Sequence, residues 1–128
     1  MFLKLDPGSG VPIYRQIMDG VRYSVAGGTL AAGDRLPSVR ELATSLGVNP
    51  TTIQKAYGEL EHLGVIETRR GQGTFVADAP PVVDETERRD ALEREAREWI
   101  VKGAEQGAGR EALEDAFRRA LEDFFGRE

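Results

Sequence analysis

The sequence predicts a mainly helical fold that carries one small β-hairpin. Three observations predict it. Ser38 and Glu41 have the spacing of a helix capping box, ahead of an apolar-periodic run. Gly47 closes that run, and Asn49-Pro50 restarts a helix about three residues later. Two β-prone runs, Val65–Arg69 and Thr74–Val76, flank the glycine-rich turn Arg70-Gly71-Gln72-Gly73. Two helices joined by a tight turn and followed by a hairpin make a winged helix-turn-helix.

Taken in order, Met1–Asp6 reads as a short edge strand with no evident partner, and Pro7-Gly8-Ser9-Gly10 as a break. Val11-Pro12 opens the first helix. Ile13, Ile17, Val21 and Val25 recur at i, i+4, and Tyr14 and Met18 widen the stripe. Gly20 lies inside this helix at a cost of about 1 kcal/mol relative to Ala, with close packing as its only sequence-level reason. Gly27-Gly28 ends the helix, and Ala32-Gly33-Asp34 turns the chain toward Arg35-Leu36-Pro37. In the first helix of the motif, Leu42, Ala43 and Leu46 share a face. In the second, Ile53, Ala56, Tyr57 and Leu60 form the inner stripe, while Thr51, Gln54, Lys55, Gly58 and His62 face outward. Gly64 ends that helix.

Ala77–Val83 reads as a linker stiffened by Pro80-Pro81. Asp84 and Glu87 repeat the capping spacing and start a helix whose apolar stripe is Leu92, Ala96, Trp99, Ile100 and Gly103. Gln106–Gly109 breaks it. A last helix from about Arg110 carries Leu113, Ala116, Phe117, Ala120, Leu121 and Phe124. The expected organisation is a DNA-binding domain over 1–76, a linker over 77–83 and a helical dimerisation region over 84–128. Two amphipathic helices of this length cannot bury their apolar faces alone. A homodimer through Leu92, Ala96, Trp99, Ile100, Leu113, Phe117, Leu121 and Phe124 is therefore expected, the alternative being a tail packed on its own domain. Any small-molecule effector would have to use that interface, near Trp99.

Composition narrows the function. The chain has 128 residues, no Cys, one His and a net charge of −5. Disulfide and thiol chemistry are excluded, and a reducing cytoplasm fits. No apolar run approaches the roughly 18 residues of a membrane span, and the N-terminus is charged too early for a signal peptide. His62 is the lone histidine, so a histidine triad or a His-rich metal site has no material; no enzyme, metal or cofactor is expected. The acidity sits in the tail. Residues 1–80 carry eight Lys/Arg and eight Asp/Glu, against nine and fourteen in 81–128. Arg40, Lys55, Arg69 and Arg70 are placed to converge on one side, with Glu59, Glu61 and Glu67 pointing elsewhere. A neutral domain implies modest non-specific affinity and a dependence on dimerisation.

The DNA chemistry follows from these positions. The second helix of the motif lies in a major groove with its N-terminal residues at base edges. Gln54 can bond adenine through two atoms, and Lys55 can reach guanine or phosphate. Thr51 and Thr52 can donate to phosphate or touch a thymine methyl, and the helix start at Asn49 offers backbone N–H groups to a phosphate. Ser38 and Arg40 stand at the groove edge. Arg69, Arg70, Gly71 and Gln72 form the wing, whose tip can enter the minor groove. Glycine at 58 would let the helix backbone approach. The competing reading is a winged-helix protein-interaction module without DNA binding.

Residues 10–77 resemble the DNA-binding domain of the GntR family of bacterial transcription regulators. The carriers are Pro12-Ile13-Tyr14, Gly33–Ala43, Leu46-Gly47-Val48, Tyr57–Glu61 and Gly71–Val76. Val48–Tyr57 with a short helical tail is most similar to the YtrA-like branch. The resemblance implies a homodimer on a double-stranded operator and, by analogy with that branch, control of a transport operon; the compact design with no evident activation surface makes a repressor, of its own or a transport operon, the expectation. It places the family's arginine before the turn on Arg40, the start of the recognition helix on Asn49, Pro50 and Thr51, and the wing-tip contact on Arg70 and Gly71. A base-reading arginine of the family falls on Gln54, and Pro50 also replaces a common arginine. Operator preferences of the longer-tailed branches therefore do not transfer.

Overall fold

The computed structural model describes residues 3–126. The chain runs through α1 (Ile13–Ala26), β1 (Arg35–Leu36), α2 (Val39–Leu46), α3 (Pro50–His62), β2 (Ile66–Arg69), β3 (Gly73–Val76), α4 (Glu85–Glu105) and α5 (Arg110–Phe125). Contacts divide it into two compact units, residues 1–83 and 84–128.

In the first unit, local chemistry sets the helix ends. Ser38 Oγ accepts from the Glu41 amide at 3.0 Å, and the Glu41 carboxylate accepts from the Ser38 amide at 3.2 Å. The Ser38 amide first, and then the Ser38 hydroxyl, hold the Glu41 carboxyl below its ordinary pKa by bonding its charged form. The carboxylate half of the box is thus fully formed at neutral pH and weakens as acid protonates Glu41, while the Ser38 Oγ bond to the Glu41 amide persists. Gly47 takes φ 66°, a left-handed conformation that a Cβ would penalise, and turns the chain out of α2. Asn49 Oδ1 then accepts from the Thr51 amide at 2.8 Å, with Pro50 at the first position of α3.

The wing is a three-stranded antiparallel sheet in the order β1-β3-β2. Arg35 pairs with Phe75 and Leu36 with Thr74, while Ile66 pairs with Val76 and Arg69 with Gly73. The sequence places only a hairpin here. The third strand escapes it because β1 has two residues and its partner lies far along the chain. The core gathers Ile17, Met18 and Val21 of α1, Leu42 and Ala43 of α2, Ile53, Ala56, Tyr57 and Leu60 of α3, and Leu36, Ile66 and Val76 of the sheet. Leu30 and Val65 complete it.

The edge-strand expectation at the N-terminus is corrected. Met1 and Phe2 lie outside the described residues, and Leu3–Asp6 pairs with no strand. Gln16 of α1 satisfies this segment instead. Its amide accepts from the Asp6 N–H at 2.8 Å and donates to the Asp6 carbonyl at 2.8 Å and the Val11 carbonyl at 2.9 Å. Leu3 explains Gly20: a Cβ there would collide with the Leu3 side chain.

Tyr57 ties α3 to the segment before α2. Its hydroxyl donates to the Pro37 carbonyl at 2.7 Å, and burial raises its pKa well above the ordinary tyrosine value. The fold favours the protonated phenol, so this stabilisation is full below the ordinary value of about 10 and fades as pH rises above it. Tyr57→Phe is expected to cost about 1 kcal/mol at neutral pH and to flatten the alkaline fall in stability. Urea melts at pH 7 and pH 11 check both.

The second unit is a helical pair. Asp84 Oδ1 caps α4 through the Glu87 amide at 2.8 Å. Trp99 of α4 and Phe117 of α5 meet with ring centroids 6.1 Å apart. Neither helix has a buried residue. Among the described residues no helix is long and apolar enough to cross a membrane.

Candidate nucleic-acid interface

The inner stripe of α3 fixes which of its residues reach outward. Ile53, Ala56, Tyr57 and Leu60 are buried, which leaves Thr51, Gln54, Lys55, Gly58 and His62 exposed and Thr52 half-buried. The exposed set is short, polar and rich in donors. Ser38 and Asn49 use one acceptor each for capping; the Ser38 hydroxyl also serves the Glu41 carboxylate, while the Asn49 amide keeps its N–H donors. Pro50 starts α3 and contributes no N–H.

Arg40, in the first turn of α2, is exposed and forms no ion pair among the described residues. Arg70 at the wing turn is likewise exposed and unpaired among them. The Gln72 N–H closes the turn on the Arg69 carbonyl at 2.9 Å, leaving the Gln72 side chain exposed. Gly71 takes φ 75°, so the tip presents backbone with no side chain in the way.

The expected convergence of free cations needs correcting at the base of the wing. Arg69 does not join the free cations. Its guanidinium donates to Glu67 Oε1 at 2.8 and 2.9 Å, lies 4.0 Å from Asp78 Oδ1 and stacks on the Phe75 ring at 4.3 Å. Glu67 therefore does not point elsewhere, because residues two apart on a strand share a face. Arg69 braces the wing. Lys55 is also less free than its exposure implies, since its ammonium lies 4.1 Å from the centroid of the Tyr14 ring of α1.

One cation was missed by sequence reasoning. Arg35, on β1, is exposed and lies against Gly73, where a Cβ would sit 3.2 Å from its Nε. The glycine at 73, with φ 123°, makes room for this guanidinium beside the wing. The Arg35–Phe75 register is the signal that places it, and it becomes visible only once β1 is recognised. Charge thus resolves locally. Arg15 and Arg22 meet Asp19 at 3.7 and 3.5 Å, and Arg69 meets Glu67, while Arg35, Arg40, Lys55 and Arg70 form no ion pair among the described residues. A domain neutral by count keeps cations on α2, α3 and the wing. No group of acidic, His or Cys side chains that could hold a metal occurs among the described residues.

A polar outward face on the second helix, an open arginine before it and a glycine-tipped wing with a free arginine define a winged-helix DNA-binding protein. The family model for bacterial regulatory proteins of the gntR family matches residues 13–76. The chain is 52% identical over 94 residues to the uncharacterized HTH-type transcriptional regulator YhcF of Bacillus subtilis, covering 73% of this chain and 76% of that protein. It is 49% identical over 76 residues to the HTH-type transcriptional repressor YtrA of the same organism, covering 59% of this chain and 58% of that protein. Among solved structures, AraR(DBD) in complex with operator ORX1 is similar at a TM-score of 0.51 and 30% identity, over 60% of this chain and 93% of that one. The chain belongs to the GntR family and is a DNA-binding transcription regulator, not an enzyme.

Proposed function

We propose that the chain is a cytoplasmic homodimeric repressor of its own or a transport operon. Residues 1–76 read the operator, 77–83 set the spacing and 84–128 join the two copies. The observation that carries the dimer is the uncovered apolar surface of α4 and α5. Leu92 is 60% exposed, Ile100 46%, Phe117 55% and Phe124 82%, and Trp99 and Leu121 are also open. Ala96 and Leu113 line the same groove between the two helices, whose volume is ≈ 1050 Å³. So much contiguous apolar surface on a regulator marks an association site. The same groove, beside Trp99, is where an effector small enough to fit would act on the dimer. Repression is supported by likeness to YtrA, which is named a transcriptional repressor.

Each copy would present α3 to a major groove, with Gln54, Thr51 and Thr52 at base edges and methyls. The helix start at Asn49, the Ser38 hydroxyl and Arg40 would meet the backbone and groove edge, and Arg70, Gly71 and Gln72 the minor groove. A two-fold operator with half-sites about one helical turn apart, or somewhat more, follows. Duplexes selected from a random pool test this directly. A symmetric pair of half-sites is expected; no salt-dependent duplex binding at all would instead favour a protein-interaction module. Phe117→Glu places a charge in the apolar seam. Sedimentation should show a dimer for the unaltered chain and a monomer for the variant, with operator affinity down at least tenfold. A dimer that survives the change would sink the assigned seam.

A further inference from the structure

We propose that Tyr14 is a positioning residue that holds Lys55 on the phosphate backbone, leaving base reading to Gln54 and the threonines. This rests on the DNA-binding reading and concerns how one contact is aimed. Tyr14 stands in the first turn of α1, half-buried and packed against the core cluster. Its ring is therefore a fixed platform. Lys55 leaves α3 and places its ammonium 4.1 Å from the centre of that ring, well inside the range of a cation–π attraction. The alternative partner on its own helix is Glu59, one turn along on the same face and exposed. Lys55 forms no ion pair with it. The ring thus holds the cation without neutralising it, and turns it toward α1, away from the carboxylate.

That geometry decides what Lys55 is for. An ammonium is a compact point charge with no planar fork, suited to phosphate rather than to bidentate reading of a base. Its stem leaves α3 on the outward face with Thr51, Gly58 and His62, and the Tyr14 ring draws the ammonium from that face toward α1. The flank of a helix lying in a major groove faces the backbone, where contacts set register and carry no sequence information directly. The Tyr14 hydroxyl, without a hydrogen-bond partner among the described residues, plays no part in holding Lys55.

The test uses the full chain and a duplex selected as above. Affinity is measured from 50 to 200 mM salt for the cognate site and for each single-base variant. Lys55→Gln is expected to weaken all sites by the same factor and to reduce the slope of log affinity against log salt by about 0.9 per copy. Tyr14→Phe, which keeps the ring, should behave as the unaltered chain. Tyr14→Leu should reproduce Lys55→Gln, and the double variant should lose nothing more. Relaxed preference at one base pair in Lys55→Gln would overturn the proposal, whatever happens to the Tyr14 variants. Independent, multiplying effects of the two substitutions would overturn it too, as would a Tyr14→Phe protein as weak as Tyr14→Leu. If Tyr14→Leu does not fold, Tyr14→Met takes its place as the variant without the ring, and an unchanged affinity and salt slope there would overturn the proposal. Failure of the unaltered chain to bind any duplex would instead overturn the DNA-binding reading beneath it.

Discussion

Arg40→Ala and Arg70→Ala are each expected to weaken operator binding by roughly 30-fold or more while leaving the fold intact. Both side chains are exposed and neither forms an ion pair among the described residues. Removing either should therefore shift stability by no more than about 0.5 kcal/mol. On DNA the position is reversed. A guanidinium held against a guanine edge or a groove-edge phosphate contributes about 1–3 kcal/mol, and a two-fold site loses the contact twice. The combined loss is about 2–6 kcal/mol, or roughly 30-fold to more than 10,000-fold in affinity. Arg69→Ala is the control within the wing. Arg69 is engaged by Glu67 and Phe75, so its loss should lower stability and weaken DNA binding only modestly. Titration of the selected operator, with circular dichroism melts of the same samples, checks this. An Arg40→Ala protein that binds within threefold of the unaltered chain would remove that residue from the interface.

Elements whose ends are set by neighbouring residues were legible in the sequence. The Ser38–Glu41 box, the left-handed turn at Gly47 and the Asn49-Pro50 restart need only three or four residues each, and all stand in the structure as read. The inner stripe of α3 follows from helical period alone, and its four residues are all buried. Contacts between distant segments were not legible. The pairing of β1 with β3, the collision that forces glycine at 20 and the ring beneath Lys55 each join segments whose meeting depends on the whole fold. Arg69 lies between these cases. Glu67 is two residues away on the same strand, so a strand reading carried one step further would have paired the two. Arg35, Arg40, Lys55 and Arg70 are thus the cations left without an ion pair among the described residues, and a sequence count cannot make that subtraction.

The largest effect on stability is expected from Ile53→Ala. Ile53 has 0% exposure and sits where α3 meets the rest of the core. Replacing a buried isoleucine with alanine costs about 2–5 kcal/mol, because the lost methyl groups leave a cavity that the surroundings fill only in part. The unit that carries it is small, and small domains have little stability to lose within the usual range of about 5–15 kcal/mol. A fall in melting temperature of at least about 8 °C is expected at this size, and Ile53→Val should give a graded loss of about 0.5–1.5 kcal/mol. Ile53 immediately precedes Gln54, yet the turn of about 100° between them leaves Ile53 buried and Gln54 exposed. The cavity therefore lies beneath the helix and removes no group from its outer face. Apparent affinity should drop only through the unfolded fraction, and saturating operator should restore part of the melting temperature by mass action. Base preference measured at low temperature should match the unaltered chain. Arg40→Ala should show the opposite pattern, with melting unchanged and no rescue by operator. A changed base preference in Ile53→Ala would mean that core packing sets the aim of α3 as well as its stability.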